Sequence, residues 1–177
     1  INVIRLLKNT GSSMSGSVQV FKVGTRNSRL AVWQTGQTVA RLDSLLSECM
    51  FETVEILTPG DQDRTIDLRE SPDDFFTRSL DEAVLSGQVD VAVHSAKDLP
   101  YPVTDGLDWF WLPDAGDRRD CLIGSMHPET IGVSSDRRCE YATRRFPDAK
   151  LLPIRGNIED RISQLDRQHF DLIIMAG

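Results

Sequence analysis

The sequence predicts an α/β fold with mixed, mostly parallel sheets. Strand-like segments alternate with segments of helical period along the chain, which is the pattern of parallel crossovers. Two of the strand-like segments, 89–93 and 171–175, are almost wholly apolar, as strands covered on both faces are. In addition, several strands run directly into polar residues just before a helix. In open α/β sheets, that is the edge where ligands bind.

Residues 1–17 show no clear period and contain the small, polar run Thr-Gly-Ser-Ser-Met-Ser-Gly-Ser, so they read as a tail or linker. Residues 18–23 alternate as a half-buried strand does, and 24–28 read as a turn. Ala31, Val32, Thr35, Val39, Leu42, Leu45 and Leu46 then recur at helical spacing, with Ser28 as the N-cap. Residues 51–57 form a second strand, closed by Pro59-Gly60-Asp61, and 61–74 read as a solvated acidic loop. A helix over 75–85 carries Phe76, Leu80, Ala83 and Val84 and stops at Gly87. Strands follow at 89–93 and 107–112.

The charged turn 114–120 is a candidate domain crossing, giving a first domain of 18–114 and a second of 115–177. In the second, strands are expected at 121–123, 131–133, 150–154 and 171–175, and helices at 136–146 and 157–168. Ile158, Ile162 and Leu165 share one helical face.

The 177 residues are 40% hydrophobic and 27% charged, which fits a globular chain and argues against disorder. No apolar run is long enough to span a bilayer, and no signal-peptide pattern is present. Cys49, Cys121 and Cys139 have no C-x-x-C spacing and read as small buried thiols of a reducing compartment. His94, His127 and His169 lie apart with no metal spacing, so no metal site is expected. His94 reads as a structural residue at a strand end, and Trp33, Trp109 and Trp111 read as core or boundary packing.

A net charge of −7 speaks against a nucleic-acid partner. That charge is uneven. Residues 61–120 hold 15 acidic and 6 basic side chains, whereas 137–161 hold 7 basic and 4 acidic ones. A local arginine surplus in an acidic chain suits a small anionic ligand.

Four strand-end segments could carry the chemistry. They are Gly24-Thr25-Arg26-Asn27-Ser28, His94-Ser95-Ala96-Lys97-Asp98, Ser134-Ser135-Asp136-Arg137-Arg138 and Arg155-Gly156-Asn157, the last followed by Arg161. Guanidinium forks bind carboxylates bidentately. Arg137 and Arg138 are adjacent, so they are expected to point apart and grip separate carboxylates. Asp98, after a buried strand and beside Lys97, is placed to stabilise a cation or move a proton.

Together these segments resemble the porphobilinogen deaminase (hydroxymethylbilane synthase) family. The likeness lies in V-G-T-R-N-S-R-L-A at 23–31, P-G-D at 59–61, F-T-R-S-L-D at 76–81, V-D-V-A-V-H-S-A-K-D-L-P at 89–100, S-S-D-R-R at 134–138, I-R-G-N at 154–157, and F-D-L-I-I-M-A-G at 170–177. The resemblance implies two lobes like type II periplasmic binding proteins, with a cleft between them and a third domain absent from this sequence. It implies condensation of four porphobilinogen units with loss of ammonia, in tetrapyrrole biosynthesis, on a covalent dipyrromethane cofactor.

By the same resemblance Asp98 is the catalytic aspartate, steadying the azafulvene cation. Arg26, Ser28, Ser95, Lys97, Ser134, Ser135, Arg137, Arg138, Arg155 and Arg161 contact the cofactor and the growing linear polypyrrole. A cytoplasmic monomer with no membrane partner is implied.

The sequence departs from the family pattern at several places. None of the three cysteines matches the family's attachment motif, so no attachment site is carried over. The acidic stretch 67–74 replaces a lysine- and glycine-rich segment; Arg69 stands in for one lysine, while Asp73 and Asp74 invert the expected charge. These departures leave a second expectation, a non-catalytic anion- or tetrapyrrole-binding module of the same fold.

Overall fold

The computed structural model describes residues 2–7, 18–63, 66–68, 70–112 and 119–176. In chain order the elements are β1 (Asn2–Leu7), β2 (Gln19–Arg26), α1 (Arg29–Leu45), β3 (Cys49–Ile56), α2 (Pro59–Gln62), α3 (Arg78–Leu85), β4 (Val91–Ser95), β5 (Leu107–Trp111), β6 (Asp120–Gly124), β7 (Thr130–Val133), α4 (Asp136–Arg145), β8 (Lys150–Pro153), α5 (Ile158–Asp166) and β9 (Leu172–Ala176). A single 3₁₀ turn, Ala96–Asp98, follows β4. The chain divides into two compact units. One holds residues 1–62 and 72–115, the other 63–71 and 116–177.

The first unit is built on a five-stranded sheet in the order β3-β2-β4-β1-β5. β2 runs parallel to β3 from Gln19↔Cys49 to Arg26↔Ile56, and parallel to β4 at Val23↔Val91 and Gly24↔Ala92. Because successive strand residues face opposite ways, the apolar run of β4 feeds two cores. Ala92 joins Leu80, Ala83, Val84, Val89 and Leu107 under α3. Val93 joins Ile4 and Val23, with Val39 and Leu42 of α1 against them. Each large aliphatic side chain buried this way contributes on the order of 2 kcal/mol.

The second unit repeats that logic on a four-stranded sheet, β6-β9-β7-β8. β7 is parallel to β8 and β9, and β6 is antiparallel to β9. Leu172 and Ile174 of β9 pack with Ile131, Val133, Ala142 and Phe146 on the α4 side. Ile173 and Met175 pack with Ile154 and Phe170 on the other side, against Leu165 of α5. Pro153 ends β8 at the sheet edge, where a missing N–H does no harm. Asn157 and Asp160 form a reciprocal capping box at the start of α5.

Several expectations change. Part of the stretch read as a tail is strand β1, inserted antiparallel between β4 and β5 with Ile4 opposite Val93 and Phe110. Residues 24–26, read as turn, continue β2, so only Asn27 and Ser28 turn before α1. Thr35, Thr38, Val39 and Leu42 point α1 at the sheet, which leaves Trp33 on the outer side, 62% exposed. Trp111 is half exposed and meets Trp109 edge-on at 4.7 Å. Trp33 therefore departs from the core or boundary packing expected, whereas Trp111 against Trp109 keeps to the boundary.

The cysteines form no disulfide and are not the buried thiols expected: Cys49 and Cys139 are half-buried, and Cys121 is exposed on edge strand β6. α3 begins at Arg78 rather than at 75, after a turn in which Phe75 bonds back to Pro72. The charged turn at 114–120 lies mostly outside the described residues. Among those residues, no helix is long and apolar enough to cross a membrane.

Gly124 ends β6 at φ +121°, and a Cβ there would sit 2.3 Å from the Asp171 carbonyl oxygen. That oxygen accepts the Ser125 N–H at 2.8 Å, so it has little freedom to move. Gly124→Ala is expected to destabilise the chain by about 2 kcal/mol or more, through both backbone strain and the clash. Urea unfolding of the variant beside wild type checks this.

Candidate functional site

In the first unit, the parallel strands β2 and β4 deliver five of the expected residues to one place. Arg26 is the last residue of β2, Ser95 the last of β4, and Lys97 and Asp98 lie in the 3₁₀ turn after it. Ser28 caps α1, its hydroxyl accepting the Ala31 N–H at 3.3 Å. All five line a cavity of about 80 Å³, with Gln34 and His94 beside them. His94 is buried within β4.

Asp98 is mostly enclosed, at 16% exposure, and is paired with the exposed Lys97. The Ser95 hydroxyl donates to Gln34 Oε1 at 3.2 Å. A carboxylate, an ammonium, a guanidinium and two hydroxyls facing a small cavity suit a polar ligand carrying both a cationic and an anionic group.

Arg26 does not stand alone. Its Nε donates to Asp61 Oδ2 at 3.2 Å, and its Nη2 donates to Asp61 Oδ1. Asp61 also accepts from the Thr58 hydroxyl at 2.7 Å. This corrects the reading of Asp61 as part of a solvated acidic loop. Burial works against its charge, but the Arg26 guanidinium and the Thr58 donors outweigh it and hold the carboxyl below its ordinary range.

The second unit collects the other six residues beyond the carboxyl ends of β7 and β8. Ser134 and Ser135 follow β7, Arg137 and Arg138 open α4, Arg155 follows β8, and Arg161 lies on α5. Arg161 Nε donates to the Gly156 carbonyl at 2.8 Å, and Nη1 donates to Ser134 Oγ at 3.0 Å. Arg155 Nη2 donates to the Asp63 carbonyl at 2.7 Å, and Gln164 Nε2 donates to the Arg155 carbonyl at 2.9 Å. Ser135 takes the N-cap position of α4 with no side-chain cap bond, which leaves its hydroxyl for other work.

Arg137 and Arg138 do not grip separate carboxylates. Both reach Asp120 on β6: Arg138 Nε and Nη2 donate to Oδ1 at 3.1 and 2.9 Å, and Arg137 Nη1 lies 2.6 Å from Oδ2. Burial again opposes the charge on Asp120, and the two guanidinium groups overcome it, lowering its carboxyl. Arg161 is pushed down to about 10, first by burial and then by the neighbouring charges of Arg138 and Arg155. Positive charge is therefore crowded around Arg161.

Asp61 and Asp120 are the partners of the site arginines that sequence reading missed. Neither has a local signature, since each meets its arginine across a fold-level distance. In the segment that replaces the family's lysine-rich stretch, Asp74 pairs with Arg78 one helical turn on; Arg69 lies outside the described residues. Among the described residues, no cluster of metal-ligating side chains exists.

A family model described as "Porphobilinogen deaminase, dipyromethane cofactor binding domain" matches residues 21–177. Curated proteins named porphobilinogen deaminase are similar to the chain. That of Bacillus pumilus (strain SAFR-032) is 34% identical over 90% of this chain and 54% of its own length. That of Streptococcus sanguinis (strain SK36) is 36% identical over 90% and 55%. That of Geobacillus sp. (strain WCH70) is 37% identical over 88% and 53%. The chain thus spans about half the length of these relatives.

The lowered carboxyls of Asp61 and Asp120 make folding depend on acid. A carboxyl whose folded pKa lies below its unfolded one lends stability above the unfolded value and loses it as pH falls through the folded value. From an unfolded value of 3.8, the stability these two groups supply is expected to be complete at neutral pH and to fall away below about pH 4. Urea unfolding across that range should show a shallower acid decline in Asp120→Asn than in wild type.

Proposed function

We propose a function from one premise: the chain belongs to the porphobilinogen deaminase family, whose cofactor-binding domain it matches. The proposed activity is hydroxymethylbilane synthase, the stepwise joining of four porphobilinogen units with release of ammonia. The observation that carries it is the arginine group of the second unit. Arg138, Arg155 and Arg161 gather there, and Arg161 is bonded through Gly156 and Ser134, both neutral acceptors. Such a group suits a ligand with several carboxylates.

A dipyrromethane bears an acetate and a propionate on each of its two pyrroles. The donor set fits it in kind: Arg137, Arg138, Arg155 and Arg161 supply forks for carboxylates, and Ser134 and Ser135 supply hydroxyls. When bound, that cofactor would supply the pyrrole carbon at which chain growth begins. The protein's own residues do the rest. The arginines neutralise and orient the carboxylates of the substrate and of the linear polypyrrole. Arg26, Ser28, Ser95 and Lys97 do the same from the first unit.

Asp98 holds a negative charge in a mostly enclosed position, where it stabilises the cation that develops as ammonia leaves. It also accepts hydrogen bonds from pyrrole N–H groups. The two units, 1–62 with 72–115 and 63–71 with 116–177, are proposed as lobes of the type II periplasmic-binding-protein kind, and the protein as a cytoplasmic monomer. The mixed sheets flanked by helices support that reading.

Titration of the purified protein with porphobilinogen, with ammonia assayed in parallel, tests it. Binding is expected, weakened at least tenfold by Arg138→Ala combined with Arg161→Ala. In the full-length parent carrying this segment, Asp98→Asn is expected to cut ammonia release by about a hundredfold while leaving binding near wild type. Binding by the parent without any ammonia release would instead support a non-catalytic tetrapyrrole-binding module. Intact denatured mass of the parent shows whether two linked pyrroles are attached.

A further inference from the structure

Arg26 is fixed on one edge and on one face, both within the first unit. Asp61 takes its Nε and Nη2 edge through two hydrogen bonds. Thr58 holds Asp61 in turn, its hydroxyl at 2.7 Å and its N–H at 3.4 Å from Oδ2. The Phe76 ring covers one face of the guanidinium, with the arginine's central carbon 4.2 Å from the ring centre. Space for that ring depends on Gly60, where a Cβ would lie 2.3 Å from a ring carbon. Arg26 nevertheless keeps 22% of its side chain exposed, against 9% for Asp61. Its Nη1 end is the part not used by these contacts.

Arg26 and Asp98 line the same cavity. A guanidinium released from Asp61 would share that cavity with the Asp98 carboxylate, an opposite charge to which it would be drawn. We infer that Asp61 is a positioning residue: it holds Arg26 by the Nε edge, presents the Nη1 end to a ligand carboxylate, and keeps the guanidinium off Asp98. The inference rests on the proposed reading of this cavity as a carboxylate site. A bond made only for stability would leave ligand affinity alone, since its loss would be felt equally by the free and the bound protein.

The test is a double-mutant cycle in the full chain with porphobilinogen as the probe, joined to NMR of the Arg26 Nε–H group. Asp61→Asn is expected to weaken porphobilinogen about tenfold, as loss of one aimed charge-assisted contact does. Added to Arg26→Ala it is expected to cost nothing further. In the same variant the Arg26 Nε–H is expected to exchange with water at least tenfold faster. Thr58→Val, which spares the ion pair but loosens Asp61, should give a smaller change of the same sign and serves if Asp61→Asn does not fold.

An unchanged affinity in Asp61→Asn, or an effect that adds fully to that of Arg26→Ala, overturns the inference. If wild-type protein binds no porphobilinogen, the proposed function fails and the presentation of Arg26 to a ligand carboxylate falls with it, whereas an unchanged exchange rate in a protein that does bind refutes the positioning role alone.

Discussion

The arrangement at the strand ends depends on guanidinium groups being bonded before any ligand arrives. A half-buried arginine that waited unpartnered would be costly, because a desolvated charge is stable only when its hydrogen bonds are met. The arginines answer that demand differently. Arg26 and Arg138 use a carboxylate, Arg155 and Arg161 use carbonyl oxygens, and Arg161 adds a serine hydroxyl. The choice has an electrostatic consequence. Carboxylate partners cancel charge, whereas carbonyl partners fix geometry and leave the charge in place. In the second unit Arg137 and Arg138 share the Asp120 carboxylate, while Arg161 is held by neutral oxygens and keeps its charge.

The two units reach this end by the same construction. Parallel strands fed by apolar residues on both faces form a rigid platform, and the chain becomes polar only where each strand stops. Rigidity at the platform is what allows an exposed loop to hold a side chain to within a fraction of an ångström. Gly60 and Phe76 show how far this extends, since a single missing Cβ makes room for the ring that stacks on Arg26.

Much of this was legible in the sequence. Apolar period and alternation located the strands and helices from residue 18 onward, and the polar residues after each strand marked the site edge. Ser28 and Asn157 could be placed at helix starts because capping is a local interaction. What was not legible is non-local. Asp61 meets Arg26 from 35 positions away, and Asp120 meets Arg138 from 18. Nothing in the spacing of an acidic residue distinguishes such a partner from a solvated one. The same holds for β1, whose strand character comes from β4 and β5 on its two sides and not from a pattern of its own. The adjacency of Arg137 and Arg138 misled for a related reason: neighbours on a helix diverge at the backbone, but long side chains can converge again on one acceptor.

The position of β1 bears on the order in which the first unit can form. Its partners run from Asn2↔Ser95 on one side to Val3↔Trp111 on the other, so it closes the longest loops in that sheet. Loop closure of that length costs entropy that is recovered only once both neighbours are in place. The β2–β3 pair, joined through α1, closes far shorter loops and is the natural early nucleus. Among the described strands β5 pairs with β1 alone, so β1 and β5 are added to the β4 edge together. Without β1, β4 presents an open edge at Val93, His94 and Ser95, three of the residues that line the cavity with Asp98.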